Sequence, residues 1–153
     1  MGTTTIAAYL VNFETGVEIG RISNQNLQSS FGADIISRIK SASEGLLEAI
    51  NKVVIDQVNK IIQEFSIKYK IPEIKKIVFA ANTTMLHLLA KVDPTSIGVA
   101  PYQAQFLDRK VYFGGELGIE AKEVVLLPSI SSFIGSDIVS GILACDIILQ
   151  DAN

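Results

Sequence analysis

The order of elements in this sequence predicts an α/β domain built around parallel strands. Three observations support it: a β-rich stretch with a turn opens the chain, a long run at helical spacing follows, and two short apolar runs are each succeeded by a helical segment. A strand–helix–strand–helix order implies parallel strands joined by right-handed crossovers. At 153 residues the chain has the length of one domain and can bury a substantial core, so residues 1–153 are read as a single domain.

The opening "TTTIAAYLVNFETGVEIGRISN" reads as a hairpin turning at Glu14, Thr15 and Gly16. Its strands place Ile6, Ala8 and Leu10, then Val17, Ile19 and Ile22, as the apolar positions. The polar run "NQNLQSS" leads into "FGADIISRIKSA", a short helix starting near Ala33 or Asp34. From Leu46 to Phe65, apolar residues recur at three–four spacing, with Glu48, Asn51, Lys52, Asp56 and Lys60 on the opposite face. This is a surface helix that covers one sheet face.

Pro72 marks a break before "KKIVFAAN", read as a buried strand. "TTMLHLLAKV" is helical, with Thr83 as a cap, and Pro94 ends it. Within residues 95–121, "FLDRKVYFGG" reads as a surface strand or excursion. "EVVLLP" is a second buried strand, and "SSFIGSDIVSGILACDIIL" closes the chain as a helix.

Composition narrows the function. Nearly half the residues are hydrophobic (48%) and 19% are charged, a globular rather than disordered balance. A net charge of -3 without a basic run argues against nucleic-acid binding, which needs clustered cations to displace counterions. The one cysteine, Cys145, excludes an internal disulfide, a Cys-clustered zinc site and an iron–sulfur cluster carried by this chain alone. It points to a reducing, cytoplasmic compartment. No apolar run reaches the ~20 residues needed to span a bilayer, so no membrane role is expected.

Two stretches suggest chemistry. Gly2, Thr3, Thr4 and Thr5 precede a strand, and small hydroxyl-bearing residues in such a turn can hold phosphate oxygens. Thr runs also favour β structure for its own sake. In "GSDIVSGILA", Asp137 sits at the mouth of a helix of apolar and small residues. A carboxylate in a first helical turn satisfies free N–H groups and the helix dipole. The same place, beyond the C-terminal end of a parallel strand, is where ligands bind in open α/β sheets. Both readings of Asp137 stand on the residues alone.

Asn82, Thr83 and Thr84 follow the earlier buried strand, so they serve as helix caps or face the same cleft. Ser140, Gly141 and Ala144 would let the last helix approach a neighbour closely. His87, the only histidine, falls between leucines and reads as a packed or hydrogen-bonded residue. Cys145 reads as a packing residue.

Five blocks in order, "GTTTIAAYLV", "FGADIISRI", "ANTTMLHLL", "GVAPY" and "LLPSISSFIGSDIVSGILA", resemble the reductive activators of corrinoid proteins. These are ATP-dependent enzymes of anaerobic bacteria and methanogens, and include the methylamine methyltransferase corrinoid activation proteins. The resemblance runs from Gly2 to about Asp146. It implies a ribonuclease-H-like (actin-like ATPase) half-domain of the acetate and sugar kinase, heat-shock chaperone and actin superfamily. That fold has a mixed sheet with an N-terminal hairpin and flanking helices, and binds ATP and magnesium between two halves.

Carried over by motif, the resemblance assigns Gly2, Thr3, Thr4 and Thr5 to the first phosphate loop. Asn82 and Thr83 line the cleft, and Asp137 becomes the base or an indirect, water-mediated magnesium anchor. It implies a corrinoid protein as partner and reduction of cobalt(II) corrinoid to cobalt(I) in the parent protein. One departure stands out: the family carries an Asp before Gly-Thr-Thr-Thr that helps hold magnesium, and Met1 occupies that place. The second phosphate loop, the adenosine motif and the iron–sulfur cysteines fall outside this stretch.

The chain therefore reads as a fragment, one lobe of a larger actin-like ATPase domain whose remainder is a partner. An open sheet edge makes a homodimer possible. The alternatives are a non-catalytic partner-binding module and a lobe of a small-molecule kinase from the same superfamily.

Overall fold

A computed structural model describes residues 1–145; the part of the expected terminal helix beyond Cys145 lies outside the described residues. Strands β1 (Thr5–Val11) and β2 (Glu18–Gln25) form the predicted antiparallel hairpin, with a bulge between Leu10 and Val11. Ile6 is buried, and Ala8, Leu10 and Ile22 pack against the core. Val17 and Ile19 are exposed instead. Side chains alternate along a strand, so Ile22 cannot share a face with Val17 and Ile19. Its facial partner is Gly20, which leaves space for the ring of Tyr69.

Helix α1 (Ile35–Ser41) starts where expected, with Asp34 as N-cap and its carboxylate accepting from the Ser37 N–H. A π-type turn at residues 42–46 follows, where Gly45 adopts φ 93°, a conformation glycine reaches without Cβ strain. Helix α2 (Leu47–Tyr69) buries Ile50, Val54, Val58, Ile61 and Phe65. It ends at Lys70 in the left-handed conformation, just before Pro72.

The second sheet is mixed, in the order β3 (Lys76–Phe79), β5 (Glu123–Leu126), β4 (Lys110–Phe113). β3 and β5 are parallel, as the element order requires, and β4 joins β5 antiparallel. Ile77, Phe79, Val124 and Leu126 face a core shared with α2 and with Met85, Leu86, Leu88 and Leu89 of α3 (Thr83–Leu89). β5 is buried throughout its apolar run, matching expectation. β3 is not: as an edge strand it leaves Val78 52% exposed. Val125 and Val111 lie beside Val78 in register, on the sheet face away from α2.

Two short helices, α4 (Thr95–Gly98) and α5 (Gly114–Leu117), lie in the crossover between the parallel strands. The last described helix, α6 (Ser136–Ala144), follows β5 after a loop at residues 127–135. Nothing among the described residues lies within 4 Å of a Cβ built at Gly141, so the close approach expected of Ser140, Gly141 and Ala144 is not seen within them. Cys145 is exposed rather than packed. No helix among the described residues is long and apolar enough to cross a membrane.

Candidate functional site

Because β3 and β5 run parallel, the segments that follow them emerge on one side of the sheet. β3 leads into Ala81 and Asn82. The Asn82 side chain accepts from the Met85 N–H at 2.9 Å, which makes Asn82, not Thr83, the N-cap of α3. Its amide also donates to the Thr3 hydroxyl at 3.3 Å. The chain start is anchored at the same edge, where the Met1 amino group donates to the Ala80 carbonyl at 2.5 Å. Burial lowers the pKa of that amino group, and the negative charge of Asp137 opposes the shift.

Asp137 arrives from the other strand. Ser136, fully buried, bonds both backbone groups of Ala81, and the Asp137 N–H donates to the Ala81 carbonyl at 3.2 Å. Gly135 makes this approach possible, since a Cβ there would run into the Asn82 backbone and lie 2.6 Å from the Ala81 oxygen. Asp137 is half-buried and lies in the first turn of α6, beyond the N-cap Gly135. Its Oδ1 accepts from the Ile138 N–H at 2.9 Å. The first-turn reading thus describes its local bonding, on an element that also directs it to the strand ends.

The structure therefore brings Gly2, Thr3, Asn82 and Asp137 to one edge, with Thr4 and Thr5 exposed beside them. Thr83 is buried, its hydroxyl donated to the Ser131 carbonyl at 2.7 Å, where it fixes the loop before α6. A cavity of about 60 Å³ opens beside Asn82 and Thr83, walled by Ile35, Ile39, Ile97 and Phe133. Among the described residues no cluster of three or more His, Cys, Asp or Glu could hold a metal ion. The "GVAPY" block, which includes a cis Ala100–Pro101 peptide, packs at the rim. The Tyr102 ring lies 5.6 Å from that of Phe133, and the Tyr102 carbonyl accepts from Ser132.

Sequence reasoning missed the residues that hold this edge from beneath. Arg38, fully buried, donates to the carbonyls of Thr3 and Gly32 and to the Met85 sulfur. Asn26, also fully buried, donates to the Gly2 carbonyl at 2.9 Å. The polar run containing Asn26 is therefore an internal anchor: Gln28 bonds the Ile50 carbonyl, and Gln57 bonds Gln25 and Leu27. The available signal was position. Arg38 falls on the same helical stripe as Ile35, Ile39 and Ala42, and Gln57 on that of Ile50, Val54 and Ile61.

His87 is fully buried and stacked on Phe106, with ring centroids 4.3 Å apart. Its Nδ1 lies 2.8 Å from the Thr83 carbonyl, and its Nε2 accepts from the Gln105 N–H at 3.1 Å. Both ring nitrogens are thus engaged in a structural role, and burial lowers its pKa.

Comparison with known proteins agrees with the resemblance. The family profile described as the RACo middle region matches residues 1–150. The corrinoid activation enzyme RamQ of Eubacterium limosum is 32% identical over 146 residues, which cover 90% of this chain and 24% of that protein. A solved structure of a reductive activator for corrinoid, iron-sulfur protein superposes with a TM-score of 0.94 at 33% identity, covering 99% of this chain and 25% of the other. The chain thus spans about a quarter of the length of each of these relatives, and it belongs to the RACo middle-region family of corrinoid reductive activators.

Proposed function

We propose that this chain is one lobe of a ribonuclease-H-like, actin-like ATPase domain. Its parent is an ATP-dependent activator that supports reduction of cobalt(II) corrinoid proteins to cobalt(I). The observation that carries this reading is the meeting of residues 2–5, Asn82 and the first turn of α6 at one edge, joined by the Asn82–Thr3 and Asp137–Ala81 bonds. Small hydroxyl residues, an amide and one carboxylate form a wall suited to a magnesium-bound phosphate chain.

The fit differs between the groups. Residues 2–5 and Asn82 suit phosphate oxygens. With no carboxylate cluster among the described residues, magnesium fits only as an ion held by the phosphates, with Asp137 reaching its water shell. ATP, when bound, supplies the free energy of phosphate-bond cleavage. The 60 Å³ cavity is too small for a nucleoside, which leaves the base to the rest of the parent domain. An iron–sulfur cluster does not fit one exposed cysteine, so the electron comes from elsewhere in the parent or from a partner. The corrinoid protein and the remainder of the ATPase domain are the proposed partners. The partner-binding alternative draws support from Met1, which offers no carboxylate where the family has one.

Thermal unfolding with magnesium-ATP tests the reading. A ligand at about 100 times its Kd adds about 2.7 kcal/mol, so a rise in Tm is expected, and Asp137→Asn should abolish it. A Tm indifferent to magnesium-ATP, together with tight binding of a corrinoid protein without nucleotide, would replace the nucleotide lobe with the partner-binding module.

A further inference from the structure

All four carbonyls of residues 2–5 are held by donors of the protein itself. Gly2 accepts from the Asn26 side chain at 2.9 Å and Thr3 from the Arg38 guanidinium at 2.5 Å. Thr4 accepts from the Asn26 N–H at 2.8 Å and Thr5 from the Gly2 N–H at 2.8 Å. In a trans peptide the N–H points opposite to the carbonyl it is joined to. The Thr3 N–H therefore points away from Asn26, and the Thr4 N–H away from Arg38. Neither finds an acceptor among the described residues. Successive outward amides are the arrangement that binds anions.

Arg38 adds charge to that geometry. It is the only fully buried cationic side chain among the described residues, and a guanidinium stays protonated even when buried. Its three acceptors are two carbonyls and a thioether, all neutral. The ion pairs among the described residues lie elsewhere, and the nearest opposing charge is the exposed Asp34 on its own helix. A buried ion without a paired counter-charge is costly to keep. A cationic donor to a carbonyl also polarises the peptide and strengthens its N–H as a donor. Here that N–H belongs to Thr4.

We propose that Arg38 is a positioning residue of the phosphate site: it holds the Thr3 carbonyl inward so that the Thr4 N–H meets a polyphosphate chain, whose charge the buried guanidinium offsets. The inference rests on the nucleotide reading above and deepens it. It assigns the recognised chemistry to the phosphate chain rather than to the base, and the loop's charge to a residue that does not touch the ligand.

The test is an amide NMR titration of the whole chain with pyrophosphate and with orthophosphate. In the wild type, pyrophosphate should shift the Thr3 and Thr4 amides. Arg38→Met, which keeps the volume and removes the charge, should weaken pyrophosphate binding at least about tenfold and orthophosphate less, since the lower charge gains less from the guanidinium. Arg38→Lys should recover part of the affinity. A folded Arg38→Met that binds pyrophosphate as the wild type does would overturn the role of Arg38 and leave the loop a phosphate site. No response of residues 2–5 in the wild type to pyrophosphate or magnesium-ATP would overturn the nucleotide reading, and this inference with it. If Arg38→Met does not fold, Asp34→Asn supplies the test, because it keeps the helix cap and removes the negative charge that acts on Arg38. Pyrophosphate binding should then tighten about twofold, and unchanged affinity would overturn the proposal.

Discussion

The Ser136 hydroxyl holds the backbone of Ala81 by both its groups, accepting from the N–H at 2.9 Å and donating to the carbonyl at 3.0 Å. Ser136 and Ala81 are fully buried, so water cannot replace either bond. This one side chain fastens the start of α6 to the end of β3, and with it the carboxylate that follows.

Ser136→Ala leaves the buried Ala81 N–H without an acceptor, while the Ala81 carbonyl keeps the Asp137 N–H. A loss of roughly 1–3 kcal/mol is expected in urea unfolding. Gly135→Ala should cost more, because its new Cβ meets backbone rather than a movable side chain. A loss below about 0.5 kcal/mol for Ser136→Ala, within the range of an ordinary surface change, would mean that α6 is not fastened through this hydroxyl.

The elements legible in the sequence are those whose cause is local. The stripe from Leu46 to Phe65, the parallel pairing of β3 with β5, and the Asp34 start of α1 follow from periodicity, chain order and capping. Less legible was anything set by a distant neighbour. Val78 reads as core in "KIVF", yet β3 has no strand on its other side among the described residues. The grouping of Ile22 with Val17 and Ile19 broke the strand's period of two, an error the sequence itself could have exposed. At the site, residues 2–5 and Asp137 stood out by motif. Arg38, Asn26 and Ser136 did not, because a buried polar residue looks like an exposed one until its acceptors, 24 to 55 residues away, fold against it.

Gln57 ties α2 to the hairpin, its Oε1 accepting from the Leu27 N–H at 3.0 Å and its Nε2 donating to the Gln25 carbonyl at 2.7 Å. It is 4% exposed. Gln57→Leu preserves the bulk but strips both partners, so a loss of roughly 2 kcal/mol is expected. Hydrogen exchange at the Leu27 amide should quicken along with it. An amide that keeps its protection in the variant would show that the hairpin is held by packing alone.

His87 makes stability depend on pH with a definite sign. Burial depresses its pKa below the ordinary value, and protonation would remove the acceptor that the Gln105 N–H uses. The unfolded chain takes up a proton near pH 6.5, the folded chain only at lower pH. The contribution is therefore complete above about pH 6.5 and is lost as pH falls, by at most about 1.4 kcal/mol per pH unit. The Met1 amino group, also depressed by burial, acts in the same direction at higher pH. An NMR titration of the His87 ring separates the two, and a midpoint at or above 6.5 would contradict the buried neutral imidazole.

Asp137 is where a structural and a chemical role can be told apart. As a first-turn carboxylate accepting one N–H, it contributes about 0.5–2 kcal/mol to the helix start. Asp137→Asn keeps an oxygen for the Ile138 N–H and removes only the charge, so unliganded stability should fall by less than about 1 kcal/mol. If the carboxylate served the helix alone, the response to magnesium-ATP would survive this change. We expect the opposite: the Tm rise with magnesium-ATP should vanish in Asp137→Asn, while pyrophosphate without magnesium still shifts the Thr3 and Thr4 amides. Magnesium-ATP responses that match in the two proteins would return Asp137 to the helix start. Residues 2–5 and Asn82, with Arg38 and Asn26 beneath the loop, would then remain the proposed phosphate site on this chain.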